Sequence, residues 1–197
     1  MYATHNSATG YSVRWPWWAH GPVNWWSQCQ SSTLEEQWDA GTRFFDFRVR
    51  QSHDGDCLTV CHGIPEYSMS YEDALDIIHA KQVESELGEL EPVYIMTLYD
   101  YTFRGDDDRD YVTEQYEYFR DLYASLRFLN LYDKKTGEVI VAGNATYPST
   151  YEMHASVDGW KVVLPPRLWA WLYNCGVKEE YANYIESDER YLMLDFL

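Results

Sequence analysis

Residues 42–49 of the 197-residue chain read TRFFDFRV, and this stretch decides the fold assignment. Its apolar residues stand between turn-forming residues, which is typical of a β-strand. Because side chains alternate across a strand, Asp46 and Arg48 share one face, whereas Phe45 and Phe47 lie on the other. A carboxylate and a guanidinium on one buried face each need a partner or a function. A structural ion pair is the simpler of these two interpretations.

Short apolar segments recur along the chain and alternate with helical patterns. The other predicted strands are 58–61, 92–99, 138–142, 161–164 and 191–196. Helices are predicted after the N-cap residues Thr33 and Ser70 and over 112–126, where apolar residues repeat at helical spacing. This alternation favours a mainly parallel sheet. We therefore expect one α/β domain over residues 1–197, a compact, distorted or incomplete (β/α)8 TIM-type barrel.

The charge of the chain limits its partners. Lys and Arg number 15 against 32 Asp and Glu, which gives a formal net charge of −17 at pH 7. That field disfavours nucleic acid and weakens attraction to an anionic bilayer. No apolar run reaches the roughly 18 to 20 residues that span a bilayer, and the N-terminal residues lack a secretory signal pattern. We expect a monomeric protein that is cytoplasmic or peripheral at membranes.

Polar residues with catalytic potential follow three predicted strands, in the stretches THNSAT (4–9), RFFDFR (43–48) and VCHG (60–63). In a barrel, the C-terminal ends of the strands form the face where active sites are built. His5, His62 and Arg48 are the groups that cleavage of a phosphodiester by an internal hydroxyl requires. One imidazole removes the proton of the hydroxyl, the other protonates the leaving oxygen, and the cation stabilises charge on the phosphoryl group.

Five motifs, in the same order, resemble the X-type catalytic barrel of phosphatidylinositol-specific phospholipases C. The resemblance is to the small bacterial kind more than to the calcium-dependent eukaryotic kind. THNSAT (4–9) is similar to the family's T-H-[DN]-S-[GA]-T, and residues 34–48 are similar to its second helix and strand. His62 with the following glycine, the strand over 92–98, and the last helix and strand over 181–196 complete the resemblance.

The resemblance implies a role for each catalytic residue. His5 would be the general base toward the inositol 2-hydroxyl, and His62 the general acid toward the leaving diacylglycerol oxygen. Arg48 would contact the phosphate. Asp195 would accept a hydrogen bond from His5, and Asp46 would support the Arg48 and His62 side of the site. The calcium-dependent branch has a carboxylate at the position of Arg48, so an arginine there implies catalysis without a metal cofactor, with calcium as the alternative.

The chain departs from the family at several substrate-binding positions. Asn6 replaces the aspartate of bacterial members and is similar to the eukaryotic His-Asn pair, whose amide oxygen helps bind calcium. The basic residue after the fourth strand is absent, since the strand continues into Tyr99, which becomes a candidate substrate contact. The next predicted strand runs into Gly143 and Asn144, where bacterial members have an arginine. Asp158 and Trp160 resemble the aspartate and aromatic residue that contact inositol.

Five of the nine tryptophans lie between Arg14 and Trp26, in the stretch RWPWWAHGPVNWW. In bacterial members of the family, a short membrane-contacting helix occupies this position at the rim of the site. Tryptophan is favourable at the headgroup level of a bilayer. We therefore expect Trp17, Trp18, Trp25 and Trp26 to contact a membrane. A packed aromatic lid, or a plug that compensates for missing helices, is an equal alternative.

Together, these patterns predict a metal-independent phosphodiesterase of the lyase type that cleaves an inositol phospholipid to cyclic inositol phosphate and diacylglycerol. Two alternatives stay open. A divalent-metal phosphodiesterase of the glycerophosphodiester or sphingomyelinase-D type would need a Glu-x-Asp pair on the second strand, where this chain has Asp46 and Arg48. A non-catalytic barrel would use the Trp-rich rim to bind a lipid or a partner.

Overall fold

The computed structural model describes residues 2–16, 21, 27–85, 92–101, 108–148, 150–152 and 191–194. The described strands are β1 (Tyr2–Thr4), β2 (Val13–Trp15), β3 (Thr42–Gln51), β4 (Leu58–Cys61), β5 (Glu66–Ser70), β6 (Tyr94–Tyr99), β7 (Arg127–Asp133), β8 (Val139–Val141), β9 (Thr150–Glu152) and β10 (Tyr191–Leu194). The described helices are α1 (Leu34–Asp39), α2 (Tyr71–Glu84) and α3 (Arg109–Leu122), with a 3-10 turn over Ser7–Gly10.

The helix starts follow the capping residues in the sequence. Thr33 and Glu36 form a reciprocal capping box at the start of α1, and the Ser70 hydroxyl accepts the Asp73 backbone N–H at the start of α2. Both predicted N-caps are confirmed. Helix α3 follows Asp108, whose side chain makes no cap hydrogen bond. The Asp108 carboxylate instead accepts the Gln51 backbone N–H at 2.8 Å and thereby ties α3 to the end of β3.

The sheet is mainly parallel, as the alternation of strands and helices predicts. Strands β9, β10, β1, β3, β6 and β7 are neighbours in that order, and every pair among them is parallel. Strand β8 extends the sheet beyond β7 as an antiparallel neighbour. Among the described strands, β8 and β9 do not pair, so this part of the chain forms an open sheet of an α/β fold. The predicted strand 161–164 lies outside the described residues.

The direction of β4 differs from the sequence prediction. A parallel barrel would place β4 parallel to its neighbours, but β4 runs antiparallel to β3, with Val60 opposite Val49 and Leu58 opposite Gln51. A run of four apolar residues predicts a strand without predicting its direction. Strands β2, β5, β7 and β9 are also absent from the prediction. Strand β7 is missed because Leu126 continues the helical spacing of α3 up to its first residue.

Side-chain alternation along β3 separates two apolar layers. Phe45 and Phe47 lie in a large buried cluster with Tyr71 of α2 and Phe119 of α3. Phe44 lies in a second cluster on the opposite face of the sheet. The two faces of the TRFFDFRV strand are therefore confirmed, and Asp46 and Arg48 lie on the face opposite the described helices α2 and α3. No helix in the described part of the chain has the length and apolar character needed to cross a membrane.

A buried ion pair stabilises the hairpin of β3 and β4. Arg50 and Glu66 are each 1% exposed, and Arg50 Nε donates to Glu66 Oε1 at 3.2 Å. The other guanidinium nitrogens donate to the carbonyls of Gly63 and Ile64. The second Glu66 oxygen accepts the His53 backbone N–H at 2.9 Å. The pair therefore holds the loop after β4 against β3.

Removal of one partner leaves the other charge buried without compensation. We expect Glu66→Gln to lower the free energy of unfolding by about 3 kcal/mol, and the double variant Arg50→Met with Glu66→Leu to recover most of that loss. Urea unfolding of the three proteins measures both effects. A Glu66→Gln protein as stable as the wild type would contradict this role of the ion pair.

Candidate active site

The site occupies a gap along one edge of β3. Strand β6 covers the other edge from Phe44 to Val49. On the edge with the gap, β1 ends at Thr4 opposite Phe45, and the β4 ladder reaches Val49 from the opposite direction. The three residues in between, 46–48, therefore lie where β1 and β4 both leave the ladder.

The first residue after each of the two strands is a histidine. His5 follows Thr4 at the end of β1, and His62 follows Cys61 at the end of β4. Because β1 and β4 run in opposite directions along the edge of β3, the chain carries His5 and His62 toward Asp46 and Arg48 from two sides. The antiparallel course of β4 thus brings together the residues that a fully parallel barrel would also have placed at one end.

The turn after β1 is held by hydrogen bonds to β3. Asn6 adopts a left-handed conformation with φ 47°, which asparagine tolerates better than most residues. Its backbone N–H donates to Asp46 Oδ2 at 3.3 Å, and the Asp46 backbone N–H donates to Ser7 Oγ at 2.9 Å. Asn6, Ser7 and Asp46 are buried. These bonds fix the backbone that carries His5.

Arg48 and Asp46 both approach the same nitrogen of His5. A terminal guanidinium nitrogen of Arg48 lies 3.1 Å from His5 Nε2. Asp46 Oδ2 lies 3.6 Å from the same His5 Nε2. The sequence predicts that Asp46 supports the Arg48 and His62 side of the site, and the structure places its carboxylate at the His5 nitrogen that Arg48 also approaches. Asp46 lies on the His5 side, because the turn after β1 binds its carboxylate.

His62 is held by a backbone carbonyl. Its Nδ1 lies 2.6 Å from the carbonyl oxygen of Ser27, so Nδ1 carries a proton and donates it. Burial is the largest cause that lowers the pKa of His62 to about 3, the charge of Arg48 is the next, and the bond to Ser27 partly opposes them. In the unliganded site at neutral pH, His62 is therefore neutral, and its Nε2 has a lone pair.

The loop after His62 is fixed on both sides. The Gly63 backbone N–H donates to Asp100 Oδ2 at 3.3 Å, and the buried Arg50 binds the Gly63 carbonyl. Asp100 is fully buried and also accepts a hydrogen bond from Lys134 Nζ at 2.6 Å. The charge of Lys134 contributes to the lowered pKa of His62. Lys134 is thus a second cation at the site.

Asp100 and Lys134 are absent from the site predicted from the sequence, which has Tyr99 instead. Tyr99 is fully buried in the cluster under the helices, and its hydroxyl donates to Asp108. The structure therefore does not bring Tyr99 to the site. The alternation of side chains along β6 could have predicted Asp100 as a site residue, because it follows Tyr99 and therefore faces the opposite side of the sheet. Lys134 was missed because β7, which it follows, was not predicted.

Several predicted site residues lie outside the described residues. They are Asp195, Asp158, Trp160, Trp17, Trp18, Trp25 and Trp26.

The described part of the site has polar atoms that its own residues leave unsatisfied. Asn6 Oδ1, Asp46 Oδ1 and Arg48 Nε are buried and have no hydrogen-bond partner among the described residues. The same part of the chain has no cluster of three or more His, Cys, Asp and Glu side chains that could hold a metal ion. An anion beside Arg48 and hydroxyl groups beside the two side-chain oxygens would satisfy these atoms.

The fold is similar to solved bacterial phosphatidylinositol-specific phospholipases C. The Listeria monocytogenes enzyme has a TM-score of 0.67 at 14% identity, covering 100% of this chain and 87% of that chain. The H258Y mutant of the Staphylococcus aureus enzyme has a TM-score of 0.65 at 14% identity, with 100% and 84% covered. Another Staphylococcus aureus structure, on the modulation of its membrane binding, has a TM-score of 0.60 at 12% identity, with 100% and 85% covered.

The sequence itself matches no family model and no curated protein. The likeness therefore rests on structure, and it extends over the whole length of this chain. The chain has the fold of a phosphatidylinositol-specific phospholipase C catalytic domain.

The lowered pKa of His62 can be measured directly. We expect a nuclear magnetic resonance titration of the histidine rings to show His62 neutral from pH 7 down to about pH 4, since burial and the Arg48 charge oppose protonation. Arg48→Met removes that charge and should raise the titration midpoint of His62. Inorganic phosphate, which offsets the same charge, should also raise this midpoint in the wild type. A wild-type midpoint near the ordinary value of about 6.5 would contradict this description.

Proposed function

We propose that the chain is a metal-independent phosphodiesterase of the lyase type. Its substrate is an inositol phospholipid, and its products are a cyclic inositol phosphate and a diacylglycerol. The observation that carries the proposal is the convergence of His5 and His62 on Arg48 along one edge of β3. The fold shared with bacterial phospholipases C supports it.

The reaction needs a base, an acid and a cation, and the site offers one of each. His5 takes the proton of the inositol 2-hydroxyl, whose oxygen then forms a bond to phosphorus. The phosphorus–oxygen bond to the diacylglycerol breaks, and protonated His62 gives its Nε2 proton to the leaving oxygen. Arg48 stabilises the negative charge that increases on the phosphoryl oxygens. Asp46 stabilises His5 after it has accepted the proton.

Binding of the substrate favours the protonated form of His62, which its role as the acid requires. In the free site burial is the largest cause that opposes protonation of His62, and the charge of Arg48 is the next. A bound phosphodiester anion offsets that charge and favours the imidazolium form. The Ser27 carbonyl already holds the Nδ1 proton, so the proton gained on binding sits on Nε2. His62 is therefore an acid in the complex although it is neutral in the free protein.

Arg48 also supports catalysis without a metal ion. Asn6 and Asp46 are the oxygen-bearing side chains beside His5, but the Arg48 guanidinium lies 3.1 Å from the same ring. A divalent cation between those oxygens would meet a fixed positive charge at short range. The guanidinium supplies the positive charge that a metal would otherwise contribute.

We assign Asp195 to the orientation of His5. Leu194 in β10 is in register with Thr4 in β1, and these residues directly precede Asp195 and His5 in the chain. Adjacent parallel strands carry such positions to the same end of the sheet. A carboxylate there would accept a hydrogen bond from the imidazole and fix its tautomer.

The head group would lie toward Lys134. Its ammonium is held by the buried carboxylate of Asp100, at the end of the sheet where His62 and Gly63 lie. Lys134 therefore supplies a cation for the oxygens of the head group, in place of the basic residues that the sequence lacks after β6. Asp158 and Trp160 are further proposed contacts to the inositol ring.

The Trp-rich segment would bring the site to a lipid surface. Trp17, Trp18, Trp25 and Trp26 follow β2 and precede residues 27–30, which contact both histidines. Indole rings bind at the headgroup level even where net charge disfavours an anionic bilayer. The proposed protein is a single-domain, distorted barrel that acts as a peripheral monomer.

A change of leaving group separates the two histidines. His62→Ala should lower kcat/KM on phosphatidylinositol by about 10²- to 10⁴-fold. On an analogue with a nitrophenol leaving group the loss should nearly vanish, since that group leaves without a proton. His5→Ala should lose activity on both substrates, because each needs the base. His79→Ala, with its ring against Tyr123, is the control. Equal losses for His62→Ala on both substrates would contradict the acid role.

Lys134 can be tested against its chain neighbour. Lys134→Met should lower kcat/KM by about 10- to 100-fold, as expected for the loss of a charge-assisted hydrogen bond of about 1.5–3 kcal/mol. Lys135→Met is the matched control, since the Lys135 ammonium lies over the Tyr101 ring at 5.7 Å. Steady-state kinetics on phosphatidylinositol vesicles measures both. Indistinguishable Lys134→Met and Lys135→Met proteins would remove Lys134 from the site.

A further inference from the structure

A four-residue segment, 27–30, contacts both histidines. We refer to these residues as the strap. The carbonyl of Ser27 accepts the Nδ1 proton of His62 at 2.6 Å. The Gln30 side-chain amide donates to the backbone carbonyl of His5 at 3.2 Å. Each end of the strap therefore holds one of the two histidines.

A single hydroxyl holds the strap in the middle. Thr9 is fully buried, and its Oγ1 accepts the backbone N–H groups of Cys29 at 2.9 Å and Gln30 at 3.0 Å. The same hydroxyl donates to the Asn6 carbonyl at 2.8 Å. A hydroxyl has one donor and two acceptor positions, and Thr9 uses all three. Without it, two buried N–H groups of the strap lose this partner.

The ends of the strap have separate attachments. The Ser27 hydroxyl and the Tyr67 hydroxyl lie 2.9 Å apart in the core. Beyond the strap, the chain passes so close to the 3-10 turn that a Cβ on Gly10 would lie 2.3 Å from the Ser32 carbonyl oxygen. The position of the strap thus depends on close contact with the turn that also carries His5.

We propose that Thr9 is a positioning residue that, through the strap, fixes the proton-bearing nitrogen of His62 and its placement relative to His5. This inference rests on the proposed function. With the strap in place, the Ser27 carbonyl keeps the Nδ1 proton, and Nε2 exchanges the catalytic proton. When the strap shifts, that carbonyl no longer selects the tautomer, and His62 becomes a mixture of two forms.

Three threonine variants of the full chain test the proposal. Thr9→Val keeps the shape of the side chain and removes the hydroxyl, whereas Thr9→Ser keeps the hydroxyl. Thr42→Val is the matched control, since Thr42 is fully buried and its Oγ1 has no hydrogen-bond partner among the described residues. The readouts are the ring ¹⁵N shifts of His62, which report its tautomer, and kcat and KM on phosphatidylinositol vesicles.

We expect the wild type, Thr9→Ser and Thr42→Val to show the Nδ1–H tautomer of His62. Thr9→Val should show both tautomers and a kcat about 10- to 100-fold lower with little change in KM, the usual cost of losing an orienting partner. A Thr9→Val protein with the wild-type His62 shifts would overturn the proposal, even if it melts at a lower temperature. If Thr9→Val does not fold, Thr9→Ala removes the same hydroxyl with a smaller side chain and decides in the same way.

The tautomer readout needs no turnover, so the two proposals fail separately. Mixed tautomers in Thr9→Val together with an inactive wild type would reject the proposed function and keep the positioning role. An active wild type with unchanged tautomers in Thr9→Val would reject the positioning role and keep the function.

Discussion

The rest of the site depends on how β1 and β4 share one edge of β3. Each strand covers part of that edge, and they approach residues 46–48 from opposite directions. Since a histidine follows each strand, the backbone alone carries His5 and His62 to the two sides of Arg48. The buried pair of Arg50 and Glu66 holds the returning hairpin, so the sheet brings both histidines to the same edge, where the strap over residues 27–30 contacts each of them.

Charge then distinguishes two histidines that the backbone places together. His5 lies between a guanidinium and a carboxylate, with Arg48 and Asp46 both near Nε2. His62 is buried and lies in the field of Arg48, both of which lower its pKa, and its described hydrogen-bond acceptor is a backbone carbonyl. Two imidazoles in unlike environments are suited to opposite proton transfers.

Sequence reasoning predicted the parts of this arrangement that depend on local patterns. The alternation in TRFFDFRV correctly placed Arg48 and Asp46 on one face, and the motif residues His5 and His62 fall beside them. The predicted direction of β4 is wrong, because the direction of a strand depends on its pairing with residues distant in the sequence. Lys134 was missed because a helical spacing that ran on into β7 concealed that strand. The conformation of the turn that carries Asn6 could not be predicted from local patterns, because it depends on a left-handed backbone and on a hydrogen bond to β3.

We propose that two histidines and an arginine cleave a phosphodiester through an internal hydroxyl and without a metal ion. The most direct test is ³¹P nuclear magnetic resonance of phosphatidylinositol vesicles incubated with the protein in excess EDTA. We expect a cyclic phosphodiester signal that appears before any phosphomonoester. Turnover that requires added calcium, a phosphomonoester as the first product, or no turnover with or without calcium would contradict it.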